Sequence, residues 1–115
     1  MATKVKVSER QAKRVLMLFA DVLSERLGTT IPTGEQAAYR GLGPELVMAW
    51  DWPRVPRPSI LLSGGISDQI EAVFGDYGIG ALGLVHEVQE RADAENLGVF
   101  LESYSSFSVS IHPKD

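Results

Sequence analysis

The chain has 115 residues, of which 44% are hydrophobic and 23% charged, a formal net charge of −4 and no cysteine. This length fits one domain with a single hydrophobic core, and the composition is that of an ordinary globular protein, which argues against intrinsic disorder. The absence of cysteine excludes disulfides, thiol nucleophiles and thiolate metal sites. No apolar run reaches the length of about 18 residues that crosses a bilayer, and no secretory signal is visible. We therefore expect one domain over residues 1–115, an arm-like N-terminus over 1–7 and a cytoplasmic location.

Charge is distributed unevenly along the chain. Residues 1–57 carry nine Lys or Arg and six Asp or Glu, whereas residues 58–115 carry two and nine. A basic cluster near the N-terminus supplies candidate nucleic-acid contacts, namely Lys4, Lys6, Arg10, Lys13 and Arg14. Such clusters are usually solvated surface, and nucleic-acid binders are rarely acidic overall, so nucleic acid is the less favoured partner. The basic and acidic halves could also pair between copies in a homo-oligomer.

A long amphipathic helix is predicted at the N-terminus. Ser8 and Gln11 have the spacing of a capping box, and Gly28 supplies a C-terminal stop. Met17 and Leu18 widen the apolar face, which indicates either burial between two layers or a surface for a partner. The main apolar stripe contains Ala12, Val15, Leu16, Phe19, Val22, Leu23 and Leu27.

A loop and two strands are predicted next. Within loop residues 29–44, Thr33 and Gln36 again have capping-box spacing, which predicts a short helix over 33–40. Alternating apolar residues over 45–52 predict a strand, and residues 59–63 predict a second one. The two strands could pair, although the corner between them is too long for a two-residue turn.

Two more helices and a hairpin complete the predicted elements. Residues 67–74 predict a short helix, and an amphipathic helix follows the glycine-punctuated residues 75–83 and stops at Asn96-Leu97-Gly98. Residues 99–104 and 107–111 are predicted to form a hairpin, and the second strand alternates apolar and polar side chains, which favours antiparallel pairing. The expected fold is α+β, with a long N-terminal helix and a second helix packed on a mainly antiparallel four-stranded sheet.

Two segments resemble enzyme motifs. Gly78–Gly83 has the G-x-G-x-x-G spacing of dinucleotide-binding loops, and Glu102 lies where the ribose-binding acid would be. No apolar strand precedes these glycines, so a flexible connector between helices is the favoured interpretation. His86 begins part of an H-E-x-x-H zinc signature, but Glu90 replaces its second histidine, which favours an exposed helical histidine. We therefore expect no enzyme activity, no cofactor and no bound metal.

The segment Trp50-Asp51-Trp52-Pro53 is the strongest candidate for a binding surface. It holds both tryptophans and leads into a Pro-Arg repeat over 53–58, and Trp and Arg are enriched at binding hot spots. Trp50 shares the apolar face of its strand with Met48 and is predicted to be core. For the Pro-Arg repeat itself, a stiff connector between two strands is the favoured interpretation. The candidate partner-binding residues are Trp52, Arg54, Pro56 and Arg57.

Residues 46–53 (LVMAWDWP) and 58–65 (PSILLSGG) together resemble a pattern in small uncharacterised proteins of actinobacterial phages. The pattern has no known chemistry, so the resemblance implies no functional residue. It implies a phage accessory protein that acts inside a host cell by binding another molecule. The combined prediction is a small non-enzymatic protein-interaction module, such as a modulator of a host protein or a virion-assembly component. The alternatives are a nucleic-acid-associated regulator that uses the basic N-terminal arm, and a nucleotide-binding enzyme.

Overall fold

The computed structural model describes residues 7–36, 46–50, 58–62, 66–75, 77–105 and 108–114. Within these ranges, no helix combines the length and the apolar character needed to cross a bilayer. The chain is an α+β protein, as predicted. Its elements in chain order are α1 (Glu9–Leu27), β1 (Thr33–Gln36), β2 (Leu46–Trp50), β3 (Pro58–Leu61), α2 (Ile66–Phe74), α3 (Tyr77–Ala94), β4 (Val99–Ser105) and β5 (Ser108–Pro113).

The strands form one sheet in the order β1-β2-β3-β5-β4. β1 is parallel to β2, and the other neighbouring pairs are antiparallel. Pairing of Met48 with Ile60 confirms that the strands on either side of the proline corner are neighbours. Pairing of Leu101 with Ile111 confirms the C-terminal hairpin. The predicted count of four strands is too low, because β1 adds a fifth strand at one edge.

The short helix predicted over 33–40 is wrong for the residues that the structure describes. Thr33–Gln36 is extended and pairs with Leu46–Ala49 of β2. The capping-box spacing is present, but these four residues contain no apolar side chain that a helix could bury, and Gly34 weakens a helix. Pairing with β2 therefore decides the local structure. Residues 37–45 lie outside the described ranges.

Helix α1 begins and ends at the predicted capping residues. Gln11 N donates to Ser8 Oγ at 3.1 Å, and Ser8 N donates to Gln11 Oε1 at 2.8 Å. Gly28 has a φ of 72° and its N–H donates to Ser24 O. Glycine adopts this left-handed conformation without the steric cost of a Cβ, so the helix stops here. Val7, the last residue of the predicted arm, is half-buried against the core.

The core lies between the three helices and one face of the sheet. Leu18 and Ala20 flank the apolar stripe of α1 and are only 2% and 3% exposed. At about 100° per residue, the buried side chains of α1 therefore cover more than half of its circumference. Leu18 shows burial between layers, whereas Met17 beside it is 44% exposed. The strands contribute the buried residues Ile60, Val99, Leu101, Val109 and Ile111, and Leu62 is buried directly after β3.

The segment Gly78–Gly83 is helical, so its prediction as a connector is wrong. α3 begins at Tyr77, and α2 rather than a strand precedes it. A Cβ on Gly83 would lie 3.5 Å from Phe74 Cδ1 of α2, which shows how closely the two helices approach. Because a helix stands where a strand is required, the strand–loop–helix order of a dinucleotide site does not occur at this position.

Helix α3 ends in a Schellman motif at the predicted stop. Asn96 has a φ of 53°, Leu97 N donates to Ala92 O, and Asn96 N donates to Asp93 O. These two bonds satisfy carbonyls that the helix end would leave unpaired. The motif reverses the chain direction and leads directly into β4.

The side chain of Gln89 covers part of the outer edge of β4. Gln89 Nε2 donates to Val99 O at 3.0 Å, and Leu101 N donates to Gln89 Oε1 at 2.7 Å. The amide thus forms two hydrogen bonds of the kind that a neighbouring strand would form. Because open sheet edges pair with other chains, Gln89 both joins α3 to the sheet and protects this edge.

We expect Gln89→Ala to lower the free energy of unfolding by about 1–3 kcal/mol, because it removes the partner of two backbone groups. Chemical denaturation measures the loss. Glu90→Ala, on the exposed side of the same helix, is the matched control and should change the free energy by less than about 0.5 kcal/mol. Equal losses for the two variants would contradict this role of Gln89.

Candidate functional site

A surface groove of about 1000 Å³ lies between the first half of α1 and the turn from α3 to β4. The α1 wall includes Arg10, Lys13 and Arg14, three of the predicted nucleic-acid contacts, so the structure brings them to one place. Lys4 and Lys6 lie outside the described residues. The remaining lining residues are Ser8, Glu9, Gln11 and Met17 from the α1 side, and Glu95, Asn96 and Leu97 from the turn.

Gln11 holds the two walls of the groove together. Its Oε1 accepts the hydrogen bond that caps α1, and its Nε2 donates to Leu97 O at 2.9 Å. The two residues are 86 positions apart in the chain. One half-buried side chain therefore fixes both the start of α1 and the position of the opposite wall.

Arg14 and Glu95 form a second connection across the groove. Arg14 Nε donates to Glu95 Oε1 at 2.8 Å, and Arg14 Nη2 donates to Glu95 Oε2. The hydrogen bond from Arg14 lowers the pKa of Glu95, and the same bond raises the pKa of Arg14. The geometry is bidentate, which fixes the direction of both side chains as well as their distance.

Two more arginine–glutamate pairs continue along the contact between α1 and α3. Arg26 bonds both carboxylate oxygens of Glu87 and lies 4.9 Å from the ring centre of Phe74. Arg91 bonds both oxygens of Glu25. In the pair of Arg26 and Glu87, a basic residue of the first half of the chain bonds an acidic residue of the second half within one molecule.

Arg10 differs from the other basic residues of the groove. Lys13 Nζ lies 2.9 Å from Glu9 Oε1, and Arg14 is held by Glu95. Among the described residues, no carboxylate pairs with the exposed Arg10. Met17 is on the same side of α1 and is 44% exposed. The groove therefore offers a guanidinium and an apolar side chain between walls that are held in place.

The predicted partner-binding residues Trp52, Arg54, Pro56 and Arg57 lie outside the described residues. The strand ends that they connect are described: β2 ends at Trp50, which pairs with Pro58 at the start of β3. The side chain of Trp50 is not among the described ones, so its core position stays a prediction.

The strand register shows what else lies at this end of the sheet. Ser59 of β3 pairs with Ser110 of β5, so the start of β3 points toward the end of β5 that contains His112. His112 in turn pairs with Phe100 of β4, and their ring centres are 6.3 Å apart. β2 therefore ends, and β3 begins, at the end of the sheet where Phe100 and His112 lie.

Phe100 is an exposed aromatic residue on the face of the sheet opposite the three described helices. It is 47% exposed, whereas its neighbours Val99 and Leu101 are buried beneath the helices. His112 Nε2 lies 3.3 Å from Glu102 Oε1, but the two atoms do not have hydrogen-bond geometry. Val99, Phe100 and Leu101 form a continuous apolar run, so no apolar–polar pattern in the sequence marks Phe100 as the exposed one.

His86 lies exposed on α3, as predicted. Its Nε2 is 2.9 Å from Glu90 Oε1, and the two side chains are 77% and 67% exposed. In the part of the chain that the structure describes, no group of three or more His, Cys, Asp or Glu residues could hold a metal ion. The contact is an ordinary pair of residues one helical turn apart.

Comparisons with protein-family models, curated proteins and solved structures find no match for this chain. No relative therefore suggests a ligand for the groove.

Glu95→Gln should weaken folding at neutral pH and have little effect in acid. Arg14 lowers the pKa of Glu95 below its ordinary value of 4.5, so the ionised carboxylate stabilises the folded state above that value. The contribution is lost as the pH falls through the lowered pKa of the folded state. Urea denaturation at low ionic strength should give the wild type the larger unfolding free energy at about pH 7 and convergence below about pH 3. A difference that stays constant over this range would contradict the ion pair.

Proposed function

We propose that this chain is a small non-enzymatic protein-interaction module and that the groove between α1 and the α3–β4 turn is its contact surface. The observation that carries the proposal is the guanidinium of Arg10, with which no described carboxylate pairs, beside the half-exposed Met17. Arg and Met are enriched in protein–protein interfaces, and the flexible thioether of Met adapts to differently shaped partners. An exposed pair of this kind is available to a partner without the loss of an internal contact.

The construction of the groove also favours binding. Gln11 connects α1 to Leu97, and Arg14 connects it to Glu95, so both walls are in place before a partner arrives. A surface that is already ordered pays less conformational entropy on association than one that must order itself. We therefore expect the groove to keep its shape when a partner binds.

The segment with Trp52, Arg54, Pro56 and Arg57 remains a second predicted contact surface. It connects strands at the end of the sheet where exposed Phe100 lies. A partner could contact the aromatic ring and this segment together. The resemblance to phage proteins supports a role as a modulator of a host protein, or as a virion-assembly component, in the host cytoplasm.

Nucleic acid is the alternative partner, and the clustering of Arg10, Lys13 and Arg14 in one groove is the observation that favours it. Two carboxylates in the same groove, Glu9 and Glu95, pair with two of these three residues. Nucleic-acid affinity comes largely from the neutralisation of several phosphates, whereas among the described groove residues Arg10 alone lacks a paired carboxylate. A gel-shift titration that showed strong, salt-dependent binding would favour nucleic acid over a protein partner.

We expect the double variant Arg10→Gln, Met17→Ala to capture about tenfold less of the specific partner from a host lysate than the wild type does, because both anchors are lost. Quantitative mass spectrometry measures the captured protein. Leu82→Ala is the matched control: Leu82 is 57% exposed on α3, outside the groove, and its loss should leave capture unchanged.

The triple variant Trp52→Ala, Arg54→Ala, Arg57→Ala separates the two predicted surfaces. If the triple variant loses capture and the double variant does not, the contact surface includes residues 52–57 and the groove assignment is wrong. Equal capture by the wild type and both multiple variants would contradict the assignment of either surface.

A further inference from the structure

We infer that the groove binds an extended acidic segment of a partner protein, in which a carboxylate and an apolar side chain lie three residues apart. The inference rests on the proposed function and names the chemistry of the partner. The carboxylate pairs with Arg10, and the apolar side chain packs on Met17.

The charges in the groove favour a single carboxylate over a polyanion. Arg14 and Lys13 already pair with Glu95 and Glu9, whereas no carboxylate of the described ranges pairs with Arg10. A ligand can therefore neutralise Arg10 without breaking an ion pair between described residues. The planar guanidinium binds a carboxylate through two parallel hydrogen bonds. A chain of phosphates along the same groove would gain little from the pairs Lys13–Glu9 and Arg14–Glu95, because each pair is neutral overall.

The distance between the two anchors sets the spacing in the ligand. Arg10 and Met17 are seven residues apart on α1, which corresponds to about 10 Å along the helix axis. A polyproline-like segment rises about 3.1 Å per residue with three residues per turn. Residues i and i+3 of such a segment therefore lie on one side and about 9 Å apart, which matches the anchors.

The opposite wall suits the backbone of such a segment. A polyproline-like chain makes no internal hydrogen bonds, so its backbone groups are free to bond the protein. Asn96 is exposed at this wall, and its side-chain amide provides both donors and an acceptor. The groove thus offers a charged anchor, an apolar anchor and a hydrogen-bonding wall to one extended chain.

An NMR titration with defined peptides tests the inference. The probe is the peptide acetyl-Gly-Glu-Pro-Pro-Leu-Gly-amide, and the matched control is acetyl-Gly-Pro-Glu-Leu-Pro-Gly-amide, which has the same composition but adjacent anchors. We expect the probe to give saturable shifts of the amides that line the groove, such as those of Met17 and Leu97. The control peptide and the Arg10→Gln variant should each bind about tenfold more weakly, whereas Leu82→Ala should bind as the wild type does.

Three results would overturn the inference: no saturable shift with the probe, equal affinity for the two peptides, or unchanged affinity in Arg10→Gln. Groove shifts caused by a duplex DNA oligonucleotide but by neither peptide would also overturn it, in favour of nucleic acid. If the peptides fail while capture from lysate still depends on Arg10 and Met17, the partner chemistry is wrong but the proposed function stands. If capture is independent of the groove, the proposed contact surface itself is wrong.

Discussion

The burial of α1 between the sheet and the other two helices is the contact on which the rest of the structure depends. Its inner side chains, such as Phe19 and Leu23, are fully buried, and the helix packs on β1, β2, α2 and α3. Because more than half of its circumference is buried, α1 has little freedom to shift or rotate. The same packing places the outer stripe with Arg10 and Met17 opposite the α3–β4 turn and so creates the groove.

Capping residues in the sequence predicted the bounds of those helices that begin or end through hydrogen bonds between nearby residues. Ser8 and Gln11 start α1 and Gly28 ends it through contacts within a few residues, so the helix bounds could be read from the sequence. β1 could not be predicted from its own residues, because its extended conformation depends on pairing with a strand that follows in the chain. The helical state of Gly78–Gly83 was also missed, since glycine disfavours helices and the contact between α2 and α3 overrides that preference.

The candidate site was predictable on one wall only. The basic cluster near the N-terminus contains Arg10, Lys13 and Arg14, which line the α1 wall of the groove. The opposite wall, with Glu95 and Leu97, is more than 80 positions away in the chain from its α1 partners. No short-range pattern indicates which carboxylate an arginine will meet at that separation. The pairing of Arg14 with Glu95, and hence the distinct role of Arg10, required the tertiary structure.

Substitution of two adjacent residues tests most directly whether α1 is divided into a core face and a binding stripe. Leu18→Ala should lower the free energy of unfolding by about 2–5 kcal/mol while the folded protein keeps its affinity for the probe peptide. Met17→Ala should change the free energy of unfolding by less than about 1 kcal/mol and weaken peptide binding. A stability loss in Met17→Ala as large as that in Leu18→Ala, or peptide binding that Met17→Ala leaves unchanged, would contradict this division of α1.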